Sequence, residues 1–109
     1  MWLVQSLAYG GSLLDNADWM ACAASGGNKC NGVGHFRPPY DSQGLYLYNQ
    51  GLTGPIPAES LARMTGLKYL FLAGGGTKGN PNRLTGPIPK EIGLLTNLVE
   101  LWLEGNELT

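Results

Sequence analysis

The amino-acid sequence predicts an α/β solenoid, in which every repeated unit contributes one short parallel strand and an irregular, partly helical segment comes first. Two observations lead to this prediction. The string Leu-Thr-Gly-Pro-Ile-Pro occurs at residues 52–57 and again at residues 84–89. A Leu-x-Leu triplet followed by an amide residue precedes both copies and occurs once more near the end of the sequence. Self-similarity of this kind is the sequence signature of a repeat fold.

The three units share the order Leu-x-Leu, amide, leucine. They are Leu45-x-Leu47 with Gln50 and Leu52, Leu70-x-Leu72 with Asn82 and Leu84, and Leu101-x-Leu103 with Asn106 and Leu108. The second unit carries an insertion of seven residues, drawn from the glycine-rich stretch 74–81, which predicts a loop beside the strand face. Leu84 and Leu108 are 24 residues apart, which is the length of the uninterrupted repeat.

Each Leu-x-Leu triplet predicts a strand, near residues 45–48, 69–72 and 100–103. Alternation along a strand places both leucines on one face, and one strand cannot bury them alone, so the units must stack and share a core. The amide residue is predicted to bond backbone groups at the bend, most weakly at Gln50, which is one methylene longer than asparagine. The residues predicted inside are Leu45, Leu47, Leu52, Ile56, Leu61, Leu67, Leu70, Leu72, Leu84, Ile88, Leu98, Leu101 and Leu103.

The segments outside these strands predict short helices and turns. Paired prolines follow each Thr-Gly dipeptide and favour an extended backbone there. Helical turns are predicted at residues 58–64 and 90–94. A short amphipathic helix is predicted at residues 2–9, with Trp2, Leu3 and Leu7 inward and a glycine pair at its end. Residues 20–44 have no hydrophobic periodicity and are predicted to form irregular loop.

The repeats resemble the plant-type leucine-rich repeat, whose consensus is L-x-x-L-x-L-x-x-N-x-L-T-G-x-I-P over about 24 residues. The resemblance covers residues 45–109, and the T-G-x-I-P half of the consensus distinguishes this subclass. Residues 1–44 resemble the family's N-terminal cap. The counterparts of the cap pattern are Leu7, Tyr9, Gly10, Gly11, Asn16, Trp19, Gly32 and Val33. The sequence departs from that pattern at Leu14 or its neighbour and at Cys30, where tryptophans are usual, and at His35, where a cysteine is usual.

The residues between the strand leucines form a column of aromatic side chains. These are Tyr46, Phe71 and Trp102, and they are predicted to point away from the leucine core. The flanking columns are Gly44, Tyr69 and Glu100 on one side and Tyr48, Ala73 and Glu104 on the other. A contiguous exposed aromatic patch predicts a partner-binding surface, made of Tyr46, Tyr48, Tyr69, Phe71, Trp102, Glu100 and Glu104. Two alternatives are that the column only stabilises the sheet, or that the N-terminal segment or the insertion buries it.

Charge and motifs argue against several classes of protein. The net charge of -1 excludes the dense basic field of a nucleic-acid-binding protein, and no apolar run is long enough for a membrane helix. The sequence has one histidine, His35, and no nucleophile elbow, phosphate-binding loop or dinucleotide fingerprint. Glu100 and Glu104 would project from an open sheet, where no cleft would give the two carboxyl groups the different pKa values that acid–base catalysis requires. We therefore predict no catalytic residues, no cofactor and no metal.

Cys22 and Cys30 are the only cysteines, and they form either a disulfide or two free thiols. A disulfide would stabilise the fold by about 2–3 kcal/mol and would imply an oxidising compartment. The resemblance implies a secreted or extracellular protein. An organelle protein or a subunit of a complex is the alternative, since neither a signal peptide nor an Asn-x-Ser/Thr triplet is visible.

The resemblance implies a protein-interaction module that binds through the concave strand face, as in receptor ectodomains, inhibitors of cell-wall-degrading enzymes and scaffolds. A second class is a structural or assembly subunit of a larger complex. A third is carbohydrate or ice binding, although the strand columns hold no threonine or serine. Because the sequence stops in mid-repeat at Leu108 and Thr109, we expect a fragment of a longer array, with Leu101, Leu103 and Leu108 partly exposed at that end. The alternatives are that this end packs on another subunit or that the chain associates with itself end to end.

Overall fold

A computed structural model describes residues 10–32, 41–74 and 79–109 of the chain. The helix predicted at residues 2–9, His35 and residues 75–78 of the insertion lie outside these ranges. In the described part, no helix is long and apolar enough to cross a membrane.

The described residues form two parallel sheets of three strands each, with helices between the strands. The strands are β1 (Gly44–Tyr46), β2 (Thr53–Pro55), β3 (Tyr69–Phe71), β4 (Arg83–Gly86), β5 (Glu100–Trp102) and β6 (Glu107–Leu108). The helices are α1 (Ala17–Ala24) and α2 (Ala58–Ala62), and the 3-10 helices are η1 (Leu13–Asp15) and η2 (Lys90–Leu94). The strand orders are β1-β3-β5 and β2-β4-β6. Each repeat therefore contributes two strands, and the prediction of one strand per repeat was incomplete.

The first sheet has the register that the repeat predicts. Leu45 pairs with Leu70, and Leu70 pairs with Leu101. Both pairings are parallel, and the strands begin and end within two residues of the predicted bounds. The predicted helical turns are also present, as α2 and as η2.

The second sheet does not follow the repeat residue for residue. Thr53 pairs with Arg83, whereas Thr85 pairs with Pro55 and with Glu107. The equivalent threonines of successive repeats are therefore offset along the strands. This sheet carries no aligned row of threonines.

A single apolar core fills the space between the two sheets. Nine of the predicted core residues are buried in it: Leu45, Leu47, Leu52, Ile56, Leu61, Leu67, Leu70, Leu72 and Leu84. The prediction was wrong for Ile88 and Leu101, which are exposed, and only partly right for Leu98 and Leu103, which are half-buried. Leu98, Leu101 and Leu103 belong to the third repeat and Ile88 to the end of the second, and no further described repeat packs beyond β5 to cover them.

The N-terminal segment contains a helix where the sequence predicted loop. Asn16 begins α1, and its Oδ1 accepts a hydrogen bond of 2.9 Å from the Trp19 backbone N–H. Trp19 and Cys22 are buried one helical turn apart, and Trp19 Nε1 donates to Ser60 Oγ at 2.8 Å. The helix is only eight residues long, and its apolar face is too short to show a clear period in the sequence. An asparagine N-cap before an alanine-rich run was the available signal.

Cys22 and Cys30 form a disulfide that ties α1 to the segment after it, with their Cα atoms 4.4 Å apart. The Cys30 backbone N–H also donates to the Ser42 carbonyl, across the gap in the described residues. The N-terminal segment joins the first repeat through backbone bonds from Gly10 to Gln50 and from Thr53 to Gly11.

Asparagine side chains tie successive repeats together. The Asn82 side chain is 1% exposed, and its Oδ1 accepts from the Gln50 and Leu52 backbone N–H groups. Its Nδ2 lies within hydrogen-bond distance of three backbone carbonyls, those of Leu47, Leu72 and Ala73. Asn106 repeats this pattern one unit later, with bonds to Leu72 and Leu84 of the second repeat. Gln50 reaches only the Tyr48 carbonyl, at 3.4 Å, as its longer side chain predicts.

The insertion in the second repeat begins and ends on backbone anchors. The Gly74 backbone N–H donates to Glu104, and the Asn82 backbone N–H donates to Gly74. A Cβ at Gly74 would collide with the Gly105 carbonyl, so the repeats approach closely where the insertion leaves the strand. At its other end, the Asn80 carbonyl accepts from the Gly51 backbone N–H, so this end lies against the first repeat.

Deleting residues 75–81 is expected to leave a folded protein. The deletion joins Leu72-Ala73-Gly74 directly to Asn82, which reproduces the Leu-Glu-Gly-Asn run at residues 103–106. It removes the bond between Gly51 and Asn80 and leaves the asparagine contacts in place. We expect the same circular dichroism spectrum and a free energy of unfolding within about 1–2 kcal/mol of the parent, the value of one or two lost hydrogen bonds. Loss of the folded spectrum would show that the insertion is structural.

Candidate functional site

The aromatic column lies on the face of the first sheet opposite the leucine core. Tyr46, Tyr69 and Phe71 form a buried cluster of their own, separate from that core, as the alternation predicts. The Tyr46 and Phe71 rings meet edge to face, with centroids 4.5 Å apart and planes 65° apart. The Phe71 and Trp102 rings stack, with centroids 4.4 Å apart and planes 7° apart. Both spacings are favourable for aromatic pairs.

The column is less exposed than the sequence predicts. Phe71 is only 3% exposed, and Tyr46 and Tyr69 are also buried, so the expected contiguous aromatic patch is not present at these positions. Phe71 is covered in part because its ring lies between those of Tyr46 and Trp102. The Tyr46 ring lies over Gly44, where an added Cβ would be 2.9 Å from Cε1. A glycine at this strand position thus gives the first ring room to lie flat on the sheet.

The exposed part of the site is concentrated on the third repeat. Trp102 is 44% exposed although one face of its ring is stacked on Phe71. Glu104 and Tyr48, in the next column, are exposed, and Glu100 is half-buried. The stack therefore holds one large exposed aromatic side chain in a defined orientation, with Glu100 at the start of β5 and Glu104 two residues beyond its end.

The charged residues of the C-terminal stretch of the sequence that contains Trp102 are of one sign. Residues 91–109 contain four glutamates, Glu91, Glu100, Glu104 and Glu107, and no lysine, arginine or histidine. The complete chain has a net charge of only -1, so the remaining residues carry a net positive charge. Residues 91–109 are thus an acidic stretch of a nearly neutral protein, although Lys90 precedes them and the Lys68 carbonyl accepts from the Val99 and Glu100 backbone N–H groups.

The described residues hold no group of three or more histidines, cysteines or acidic residues that could bind a metal ion. Asp41 is the acidic residue closest to His35 in the sequence. Its Oδ1 accepts a hydrogen bond of 2.9 Å from the Gln43 backbone N–H. Glu100 is half-buried on β5, and Glu104 is exposed two residues beyond the end of that strand.

A shallow groove of about 510 Å³ lies between the N-terminal segment and α2, and the sequence did not predict it. Its lining includes exposed side chains of Leu14 and Met20, which face Pro57 and Arg63 across the groove. Met20 lies on α1, so the groove could be found only once that helix was known.

No protein-family model and no curated protein sequence matches the chain. Among solved structures, the chain is similar to the LRR ectodomain of the plant membrane receptor kinase GASSHO1/SCHENGEN3 from Arabidopsis thaliana, in complex with CASPARIAN STRIP INTEGRITY FACTOR 2. That match has 35% identity and a TM-score of 0.51, and it covers 60% of this chain and 7% of that one.

The chain is also similar to the BIR2 ectodomain from Arabidopsis thaliana, at 42% identity and a TM-score of 0.49. This second match covers 59% of this chain and 30% of that one. The chain thus spans less than a third of the length of either ectodomain.

Proposed function

We propose, on the premise that this chain is a plant-type leucine-rich repeat protein, that it is a non-catalytic module that binds another protein. Its repeats would stack as a solenoid, with the β1-β3-β5 sheet on the concave side and the partner on that sheet. The observation that carries the proposal is the 44% exposure of Trp102, held flat against Phe71 at the end of the aromatic column. The receptor ectodomain that this chain resembles is itself in complex with a partner, which supports the same class of function.

The physical argument concerns the cost of ordering a side chain. A free tryptophan loses rotamer freedom when a partner covers it, and that loss offsets part of the binding free energy. The Phe71 ring already restricts the Trp102 ring, so most of this loss is incurred on folding. Large aromatic side chains in such positions dominate the energetics of protein interfaces. Glu104, two residues after Trp102, is also exposed.

Replacing Trp102 by alanine is expected to weaken binding to this face strongly. Peptides would first be selected from a displayed library of random sequences on the unmodified chain, and their affinities would then be measured on variants. We expect a loss of about 30-fold or more on Trp102→Ala, corresponding to a hot spot of about 2 kcal/mol. Val99→Ala is the matched control, since Val99 is 67% exposed on the same repeat but outside the aromatic column. Selected peptides that bind Trp102→Ala as tightly as the parent would contradict the proposal.

The division of the chain and its compartment are part of the same proposal. Residues 1–44 would act as an N-terminal cap on the first repeat, and residues 45–109 would form the repeat array. The disulfide between Cys22 and Cys30 supports a secreted or extracellular location, because such bonds persist in oxidising compartments.

A second candidate function, a structural or assembly subunit, rests on the exposed end of the third repeat. Leu101 is 38% exposed, Leu103 and Leu108 are half-buried, and β5 and β6 are the last strands of their sheets. Leucines and strand edges at the end of a repeat stack favour contact with another protein or with a second copy of the chain.

The 109-residue chain is therefore expected to associate with itself as its concentration rises, because contact would cover these leucines. Light scattering over a range of concentrations would measure the average mass. Leu101→Lys places a charge on the same surface and is expected to return the protein to a monomer, while Val99→Lys is the control for added charge. A strictly monomeric parent chain at all concentrations would contradict this second candidate.

A further inference from the structure

We propose that Asn31 is a deamidation site that the folded chain protects, and that its conversion to a carboxylate loosens the N-terminal segment from the first repeat. Asn31 is the only one of the asparagines in the sequence that is followed by a glycine, Gly32. A glycine leaves its own backbone nitrogen unhindered and the chain free to close the ring that the reaction requires. The site lies beside β1, and the proposal is independent of the partner surface at Trp102 on β5.

The reaction consumes water and releases ammonia. The Gly32 backbone nitrogen attacks Cγ of the Asn31 side chain, the Cγ–Nδ2 bond breaks, and the amino group leaves as ammonia with the proton of the Gly32 N–H. Water then opens the resulting cyclic imide at one of its two carbonyl carbons, and residue 31 becomes aspartate or isoaspartate. The net change replaces an amide by a carboxylate.

The Asn31 side chain is bonded along the edge of the first sheet. β1 is an edge strand whose other side pairs with β3. Asn31 Oδ1 accepts from the Tyr46 backbone N–H at 2.7 Å, and Asn31 Nδ2 donates to the Tyr46 carbonyl at 3.1 Å. Nδ2 also donates to Asp18 Oδ2 on α1, at 3.1 Å. Deamidation expels Nδ2 and therefore breaks two of these bonds, so the folded chain opposes the reaction.

The backbone around Gly32 is also held in place. Gly32 is buried, and an added Cβ would collide with the carbonyl oxygens of Asp41 and Gly44. Two residues earlier, Cys30 is bonded to Cys22 of α1 through the disulfide. The close packing and the disulfide restrict the movement that would bring the Gly32 nitrogen to bonding distance of Cγ. We therefore expect deamidation to require local opening of the N-terminal segment.

A carboxylate at residue 31 would weaken the attachment of the segment to β1. It has no N–H to donate, so the Tyr46 carbonyl loses the bond from Nδ2. An aspartate is ionised near neutral pH, and its oxygen would replace Nδ2 at 3.1 Å from Asp18 Oδ2, where two carboxylates repel each other. Among the described residues, Asp18 carries the only charge that is hydrogen-bonded to this amide.

The first experiment compares the rates of deamidation in the folded and unfolded chain. The 109-residue protein, with its disulfide intact, is incubated in mildly alkaline buffer with and without denaturant, and peptide mapping by mass spectrometry follows residue 31. We expect Asn31 to react faster than any other asparagine in denaturant, and at least about tenfold more slowly in the folded chain, because opening must come first. Equal rates in the two states would overturn the protection, and a faster asparagine elsewhere would overturn the site.

The second experiment measures the consequence with Asn31→Asp. We expect a lower midpoint of denaturant unfolding, and faster hydrogen exchange over residues 16–31 than over residues 84–109. Asn97→Asp is the matched control, since exposed Asn97 makes one side-chain bond, to the Thr65 carbonyl, and should shift the midpoint less. In an Asp18→Asn background, the loss caused by Asn31→Asp should be smaller, because the opposing charge is absent.

Three results would contradict the loosening. An Asn31→Asp chain with the midpoint and the hydrogen exchange of the parent would overturn it outright. Hydrogen exchange that rises equally in all repeats would show a general loss of stability and overturn the local effect. A loss that Asp18→Asn does not reduce would overturn the repulsion between residues 18 and 31. If Asn31→Asp does not fold, the same hydrogen-exchange comparison on the partly deamidated parent chain decides between these results.

Discussion

Replacing Asn82 by alanine is expected to lower the free energy of unfolding by roughly 3–5 kcal/mol, because each buried backbone group left without a partner costs about 1–3 kcal/mol. The Asn82 side chain is 1% exposed and has polar contacts with five backbone groups of the first and second repeats. Neither a methyl group nor bulk water can take its place there. Denaturant unfolding followed by circular dichroism would measure the loss.

Asn106→Ala is the matched control for this prediction. Asn106 occupies the same position one repeat later, but it is only half-buried and its Oδ1 accepts from a single backbone N–H, that of Leu84. Water can replace part of its bonding, so we expect a loss of about 1–2 kcal/mol. Asn82→Asp keeps the shape and the acceptor but removes the donors, and it should be nearly as damaging as alanine. Equal stability losses for Asn82→Ala and Asn106→Ala would contradict the proposed importance of burial.

Leu70→Ala is expected to cost about 2–5 kcal/mol, the range for a truncated leucine in a packed core. Leu70 is 1% exposed and lies on the central strand of the first sheet, paired on both sides with leucines of the neighbouring repeats. The cavity would open where the three repeats meet. In a domain of this size such a loss is a large part of the total stability. The midpoint of chemical unfolding, compared with that of the parent chain, would report it.

Leu101→Ala tests whether this cost comes from burial or from the leucine as such. Leu101 is aligned with Leu70 in the sheet but is 38% exposed. The side chain already contacts water, so its truncation should cost no more than about 1 kcal/mol. If Leu70→Ala and Leu101→Ala shift the unfolding midpoint equally, the third repeat is covered in solution by something else, and self-association would be the first explanation to examine.

The leucine face and the strand register could be predicted from the sequence because each follows from a regular pattern within it. Alternation along a strand decides which side of the sheet a residue faces, and the repeat decides which residues are neighbours. Hence Leu45, Leu70 and Leu101 were aligned correctly, as were Tyr46 and Phe71. The role of Asn82 was also visible, although its position in the chain is displaced by the insertion. The second sheet was missed because β2 and β4 contain the Thr-Gly pair of the repeat, which is typical of turns, and β6 is only two residues long.

Exposure was decided by the tertiary structure alone. The sequence by itself determined that Tyr46, Phe71 and Trp102 form a column outside the leucine core, but their positions in the repeat are equivalent and do not distinguish them. The structure buries Phe71 between two rings and Tyr46 on the edge strand that Asn31 of the N-terminal segment contacts, and it leaves Trp102, on the opposite edge strand, at the surface. Leu70 and Leu101 differ in the same way: Leu70 is buried on the central strand, and Leu101 is exposed on an edge strand. The burial of a residue depends on the residues that pack against it in three dimensions, and the repeat pattern of the sequence does not specify those residues.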